Sequence, residues 1–227
     1  MSTFIHRIPR NAALLVTLLI LIVLSPSIGE NLSGYLVELV FDAILLAGVY
    51  SVGPGKHRWP FLILTVVTLA VRWGEHLSGV SALDVGALSI TVLWLAYAVS
   101  IIIGNLFQRR DVTLATILGA VVAYLLVAVA FTLVFEIIEI QNPGSFSGLA
   151  DGGAGDRAEL GSSMMYFSLV CITTMGFGDV VPISNIARPL AVLEGVFGQL
   201  YLAVMIARLV GLHIARAGDE TRSGKDL

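Results

Sequence analysis

Apolar runs long enough to cross the roughly 30 Å hydrocarbon layer of a bilayer recur along this chain, and they constrain its fold more than any other feature. They fall at about 12–24, 35–52, 59–73, 83–107, 112–140 and 187–214. A further apolar segment, 162–173, is too short to span. The chain is 57% apolar and 13% charged, against about a quarter charged in an ordinary soluble domain. That much apolar surface exceeds what one globular core hides, and the excess must face lipid. The expected fold is an all-α integral membrane protein.

The breaks between runs have a chemical cause. Ser25-Pro26-Ser27, Gly53-Pro54-Gly55 and Asn142-Pro143-Gly144 end helices, because proline lacks an amide donor and glycine accepts turn dihedrals. Trp59 and Trp73 sit at span ends, where amphipathic rings favour the headgroup layer. Arg7 and Arg10 precede the first run, Lys56 and Arg58 separate the second and third, Arg109 and Arg110 separate the fourth and fifth, and Arg216, Arg222 and Lys225 follow the sixth. The opposite loops hold only Arg72, Arg157 and Arg188, beside Glu30, Glu75, Asp151, Asp156 and Glu159. This asymmetry predicts a multi-pass protein of the cell membrane with both termini cytoplasmic. The first run has a rival reading as a cleaved leader, since basic residues precede a short apolar stretch. Ser25-Pro26-Ser27 is a poor cleavage site.

Several function classes find no support. A net charge of −3 gives no basis for a nucleic-acid partner. His6, His57, His76 and His213 show no metal-ligand spacing, Cys171 is the single cysteine, and no Ser-His-Asp or Cys-His grouping shares an element. An enzyme reading has nothing to start from.

The chemistry concentrates between the last two spans, in residues 161–182, GSSMMYFSLVCITTMGFGDVVP. The first part reads as a short helix with Ser162 or Ser163 as N-cap. About twelve helical residues reach about 18 Å, so the segment must dip into the membrane and return. That is allowed only where its backbone is shielded by protein or lines water. Thr173-Thr174-Met175-Gly176-Phe177-Gly178-Asp179 follows. An ion stripped of water needs several carbonyl oxygens converging on one axis. Glycine at alternate positions permits the dihedrals that aim consecutive carbonyls the same way.

This stretch resembles the potassium-channel signature, usually Thr-Thr-Val-Gly-Tyr-Gly-Asp, and the resemblance covers about 112–214. It implies a pore module of two helices with a re-entrant pore helix and filter. The filter would be Thr174, Met175, Gly176, Phe177 and Gly178, the K⁺ ligands being the carbonyls of Thr174, Met175, Gly176 and Phe177 plus the Thr174 hydroxyl. Thr173, Asp179, Tyr166, Val170 and Glu194 would support it. One chain supplies one filter strand, so the resemblance implies a homotetramer, with the permeant potassium ion as sole cofactor and the lipid bilayer as surroundings. The short helix would turn the negative end of its dipole toward the membrane centre and favour a cation there. Gly198 stands where bacterial two-helix potassium channels place a hinge glycine; close helix packing is the equally ready alternative. By the same alignment Gln199, Leu202 and Ile206 would line the cavity and inner mouth.

The match is not complete. Phe177 replaces tyrosine, removing a phenol that ties the filter to surrounding helices, and Met175 replaces valine or isoleucine. Val170 stands where some bacterial channels keep a glutamate, leaving Tyr166 as the expected donor to Asp179. Each lost hydrogen bond weakens the hold on the filter by about 1 kcal/mol, so a filter prone to conformational loss at low potassium is expected. Glu194 is a carboxylate inside an apolar run, where charge is expensive and usually faces protein or water. A hydrogen-bonded contact with a neighbouring helix is the plainer expectation, a pH-sensitive element near the filter the sharper one. The acidic loop 141–160 reads as a solvated turret whose field is screened by salt.

The division expected is a four-helix unit at 1–110, a pore domain at 111–215 and a short cytoplasmic tail at 216–227. Run 83–107 contains no lysine or arginine, so it takes almost no energy from the membrane potential, about 2.3 kcal/mol per unit charge per 100 mV. Steep voltage gating is not expected. Glu38 and Asp42 share a face of the second run and Arg72 ends the third, a pairing read chiefly as structural, with external ligand sensing the lesser alternative. The connector Gln108-Arg109-Arg110-Asp111 is short enough to keep each four-helix unit beside its own pore helices, without domain swapping. Passive, potassium-selective conduction is the leading expectation. A poorly selective cation channel and a non-conducting membrane scaffold or accessory subunit are the alternatives.

Overall fold

The computed structural model describes residues 10–24, 33–52, 58–78, 82–108, 113–149 and 157–223. Among them the helices are α1 (Arg10–Leu24), α2 (Ser33–Val52), α3 (Arg58–Ser78), α4 (Ala82–Gln108), α5 (Leu114–Gln141), α6 (Arg157–Ile172) and α7 (Ala187–Ser223). Two short strands, β1 (Phe146–Ser147) and β2 (Val181–Pro182), pair antiparallel with Phe146 opposite Pro182. All six expected spans are helical. Among the described residues three helices are long and apolar enough to cross a membrane, Asp84–Gln108, Leu114–Gln141 and Ala187–Leu212, and α1 and α2 carry the shorter apolar stretches Asn11–Val23 and Leu39–Ser51.

α5 organises the fold, packing against α1 and α4 on one side and α6 and α7 on the other. Its ends are well specified. Thr113 is the N-cap, its hydroxyl accepting from Thr116 N at 3.3 Å while Thr113 N donates to Thr116 Oγ1. At the other end Glu139 accepts from Gly144 N (2.7 Å) and Phe146 N (3.1 Å), which turns the chain into β1. The main core runs through both halves: Leu14, Leu18 and Leu21 of α1, Ile44 and Leu45 of α2, Trp94 and Leu95 of α4, Val122 and Leu126 of α5, and Met205 of α7. α1 is thus built into the bundle. Trp94 is buried mid-helix, its indole nitrogen donating to Thr65 Oγ1 at 2.7 Å.

Three expectations change. Ser162 and Ser163 lie inside α6, which begins at Arg157. The run Arg-Ala-Glu-Leu favours helix, and Arg157 anchors it, with Nη1 3.3 Å from Asp84 Oδ1 and Nε 3.6 Å from Glu136 Oε1. The turret is correspondingly shorter, because Glu159 and Leu160 are helical. The last helix runs past the expected run 187–214, since α7 continues to Ser223. Arg72 lies 3.7 Å from Asp42, and Trp73 Nε1 donates to Asp42 Oδ2 at 3.2 Å.

Other readings fall outside the described residues. These are the breaks at 25–27 and 53–55, Arg7, Glu30, Lys56, Arg109, Arg110, Asp151, Asp156 and Lys225, and the side chains of Arg10, Glu38, Glu75, Arg216 and Arg222.

Candidate functional site

The site is built at the C-terminal end of α6. As the chain leaves that helix, Thr173 N donates to Leu169 O (3.1 Å), Thr174 N to Cys171 O (3.0 Å) and Met175 N to Val170 O (3.0 Å). Ile172 O is left free of the helix and accepts from the Tyr124 hydroxyl of α5 at 2.8 Å. From there the backbone alternates in hand. Thr174 (φ 58°), Gly176 (φ 58°) and Gly178 (φ 78°) have positive φ, and Met175 and Phe177 do not. Glycine adopts that region freely. A β-branched threonine is a genuine outlier there, at a cost of about 1–3 kcal/mol, and persists only where its surroundings hold it. Thr174 is the one non-glycine residue of positive φ among the described residues.

Two contacts grip the inner end of this loop. The Thr174 hydroxyl accepts from Gln199 Nε2 at 3.0 Å. One residue earlier in α7, Gly198 is buried so closely against Ile172 that an added Cβ would collide with its carbonyl oxygen and side chain. α7 passes through Gly198 without a break. Thr173 Oγ1 donates to Leu169 O at 2.6 Å.

At the outer end the Tyr166 hydroxyl donates to Asp179 Oδ2 at 2.7 Å, and the Phe177 ring stacks on Tyr166 with centroids 6.4 Å apart. The hydrogen bond holds the Asp179 carboxyl below its ordinary range and pushes the Tyr166 phenol up. Val170 is buried, and its carbonyl takes the Met175 amide.

Behind the loop, Glu194 is fully buried. Its Oε1 lies 2.5 Å from Ser168 Oγ, and Ser168 Oγ is also 2.7 Å from Ala128 O, so three helices meet at one hydroxyl. Every residue from Thr173 to Asp179 is exposed in the single chain, Met175 and Phe177 by about two thirds (63% and 66%). Gln199, Leu202 and Ile206 continue this exposure along one face of α7.

The structure therefore gathers Tyr166, Val170, residues 173–179, Glu194, Gly198 and Gln199 around the end of α6, with Leu202 and Ile206 further along α7. Sequence reasoning passed over Tyr124, Ser168, Glu136 and Glu139. The two glutamates had a signal, paired carboxylates at the end of an apolar run. Tyr124 and Ser168 had none, because a hydroxyl in an apolar helix looks alike whether or not a distant carbonyl meets it.

Comparison with known proteins bears on this region. A family model described as an ion channel matches residues 154–213, the stretch holding all of α6, the loop and most of α7. The chain is 28% identical over 87 residues to protein LctB of Bacillus caldotenax, covering 38% of this chain and 64% of that protein. It is 26% identical over 122 residues to protein LctB of Geobacillus stearothermophilus, covering 54% of this chain and 84% of the relative. No solved structure matches. Apolar helices of membrane length mark this as a membrane protein, and its residues 154–213 resemble the ion-channel family model.

Proposed function

We propose that the chain is one subunit of a homotetrameric potassium channel, in which residues 173–179 from four copies surround a single axis. The observation that carries this reading is the alternation of φ at Thr174, Gly176 and Gly178 directly after a helix of 16 residues, about 24 Å long. Alternate hands turn consecutive carbonyls toward one side, giving a row of oxygens able to replace the hydration shell of K⁺. The carbonyls of Thr174, Met175, Gly176 and Phe177 and the Thr174 hydroxyl are the proposed ligands, and α6 directs its negative end at the cavity beneath them. The exposure of residues 173–179 on the single chain fits an arrangement in which further copies complete the site.

The orientation proposed, with both termini cytoplasmic, follows the lysine and arginine distribution. α1 and α4 lie against α5 of the same chain, which supports a tetramer without domain swapping. α4 lacks lysine and arginine, so conduction is passive and not steeply voltage-gated.

A poorly selective cation channel is the second reading, and Phe177 favours it. Its ring has a stacking neighbour but no hydroxyl to tie it to the helices behind. Reversal potentials in mixed potassium and sodium separate the two. The decisive experiment is potassium flux from liposomes holding purified protein, with sodium in place of potassium, barium as blocker, and Gly176→Ala as a control in which the left-handed dihedral is strained. Flux that is absent, or equal in wild type and Gly176→Ala, overturns the reading.

A further inference from the structure

We propose that Gln199 is the positioning residue for the innermost cation site, fixing where the Thr174 hydroxyl oxygen points and how strongly it binds an ion. The inference rests on the channel reading above and extends it to a residue outside the filter motif.

Thr174 is held in a conformation that a β-branched residue avoids (φ 58°). Its amide is taken by Cys171 O at 3.0 Å, which fixes the backbone on one side only. The side chain's own restraint is the hydrogen bond from Gln199 Nε2 at 3.0 Å. Gln199 is itself well placed to hold, because it follows Gly198, the point at which α7 touches Ile172. The amide thus extends from beside a tightly packed glycine of α7 to the one non-glycine residue of positive φ in the loop.

The chemistry of the contact sets its consequence. A hydroxyl oxygen has two lone pairs. One accepts the Gln199 N–H, and the other is left in a defined direction for a cation. Without the amide, the hydroxyl rotates among its rotamers, and four such groups around an axis no longer converge. A carboxylate at 199 acts in the opposite way. It has no hydrogen to give, so the threonine donates to it, both oxygen lone pairs turn free, and a negative charge stands beside the ion. The two changes therefore move cation affinity in opposite directions, which a general loosening of the protein does not do.

Barium tests this directly, being near K⁺ in radius, doubly charged and a tight occupant of a dehydrated site. Single channels in planar bilayers are blocked by barium chloride added on the side of the α7 C-terminus. Gln199→Leu should weaken block at least about tenfold, mainly through faster release, and Gln199→Glu should strengthen it by a similar factor. Gln199→Asn, which keeps the amide but falls short by one methylene, should behave as Gln199→Leu. Tetramer content by size exclusion accompanies each variant, and the Asn and Glu changes carry the test if the Leu variant does not assemble. Block within about twofold of wild type in both the Asn and Glu variants, or a shift of the same sign in both, overturns the role of Gln199. A wild-type protein that passes no K⁺ instead overturns the channel reading itself.

Discussion

Ser168 Oγ sits 2.5 Å from Glu194 Oε1 and 2.7 Å from Ala128 O, so one hydroxyl joins α5, α6 and α7 directly behind the loop. A hydroxyl has a single hydrogen and donates to only one of these oxygens at a time. Glu194→Gln supplies an N–H to Ser168 and leaves the serine free to donate to Ala128. It is expected to match or exceed the wild type in thermal stability of the detergent-solubilised oligomer. Glu194→Ala removes the partner and opens a void, with an expected loss of about 1–3 kcal/mol. Equal melting of the Ala variant and wild type would show that this junction holds nothing together.

The outer tie gives a prediction in pH. Asp179 accepts from Tyr166, and its carboxyl is held below the ordinary aspartate range chiefly by that hydrogen bond. A group whose pKa is lower in the folded state contributes stability above its unfolded pKa and loses it as pH falls through the folded value. In wild type the tie therefore survives until external pH drops below the ordinary aspartate value, about 3.9. Tyr166→Phe has no tie to lose at any pH, so its flux should already be lower near neutrality and should show a smaller acid-induced fall than wild type. Stepping the outside of loaded liposomes from about pH 5 to about pH 3 checks this, and superimposable acid profiles argue against the tie.

Phe177 adds a third. Its ring is two-thirds exposed (66%) on the single chain, stacked on Tyr166, with no polar anchor of its own. Phe177→Tyr introduces one hydroxyl on a ring stacked against Tyr166 of α6, a gain of about 1 kcal/mol when it finds a partner. Current decay during low-potassium perfusion should slow in this variant. Unchanged decay means that the loop 173–179 is held adequately without a phenol at 177.

The positions of the helices were legible because lipid imposes length and apolarity on any span, so runs such as 83–107 and 112–140 announce α4 and α5 within a few residues. The loop was legible through the resemblance of the whole stretch 173–179 to a known signature; its Gly-x-Gly by itself reads as an ordinary loop. The start of α6 was not, since Ser162 and Ser163 looked like caps while the actual anchor, Arg157, is set by Asp84 and Glu136 from other helices. The β1–β2 ladder was missed for a similar reason: two residues per strand carry no periodicity. Gln199 was read as a cavity-lining residue. Its hydrogen bond to Thr174 depends on how α7 crosses the end of α6, which no local pattern encodes.

Gly198 separates hinge from packing. α7 runs unbroken through it, and a Cβ there would strike the Ile172 carbonyl oxygen, the same oxygen that accepts from Tyr124. A methyl group forced into that contact should cost about 1–3 kcal/mol, as overpacking does elsewhere. It should also displace the end of α6, because the backbone of Ile172 yields less readily than a flexible side chain. Gly198→Ala is therefore expected to lower the melting temperature of the oligomer and to reduce flux. Tyr124→Phe, which frees the same carbonyl without crowding it, should cost less in stability. A pure hinge predicts the reverse pattern for Gly198→Ala: stability unchanged, and only the fraction of time spent conducting altered. Thermal melts and single-channel records on the two variants decide between these roles.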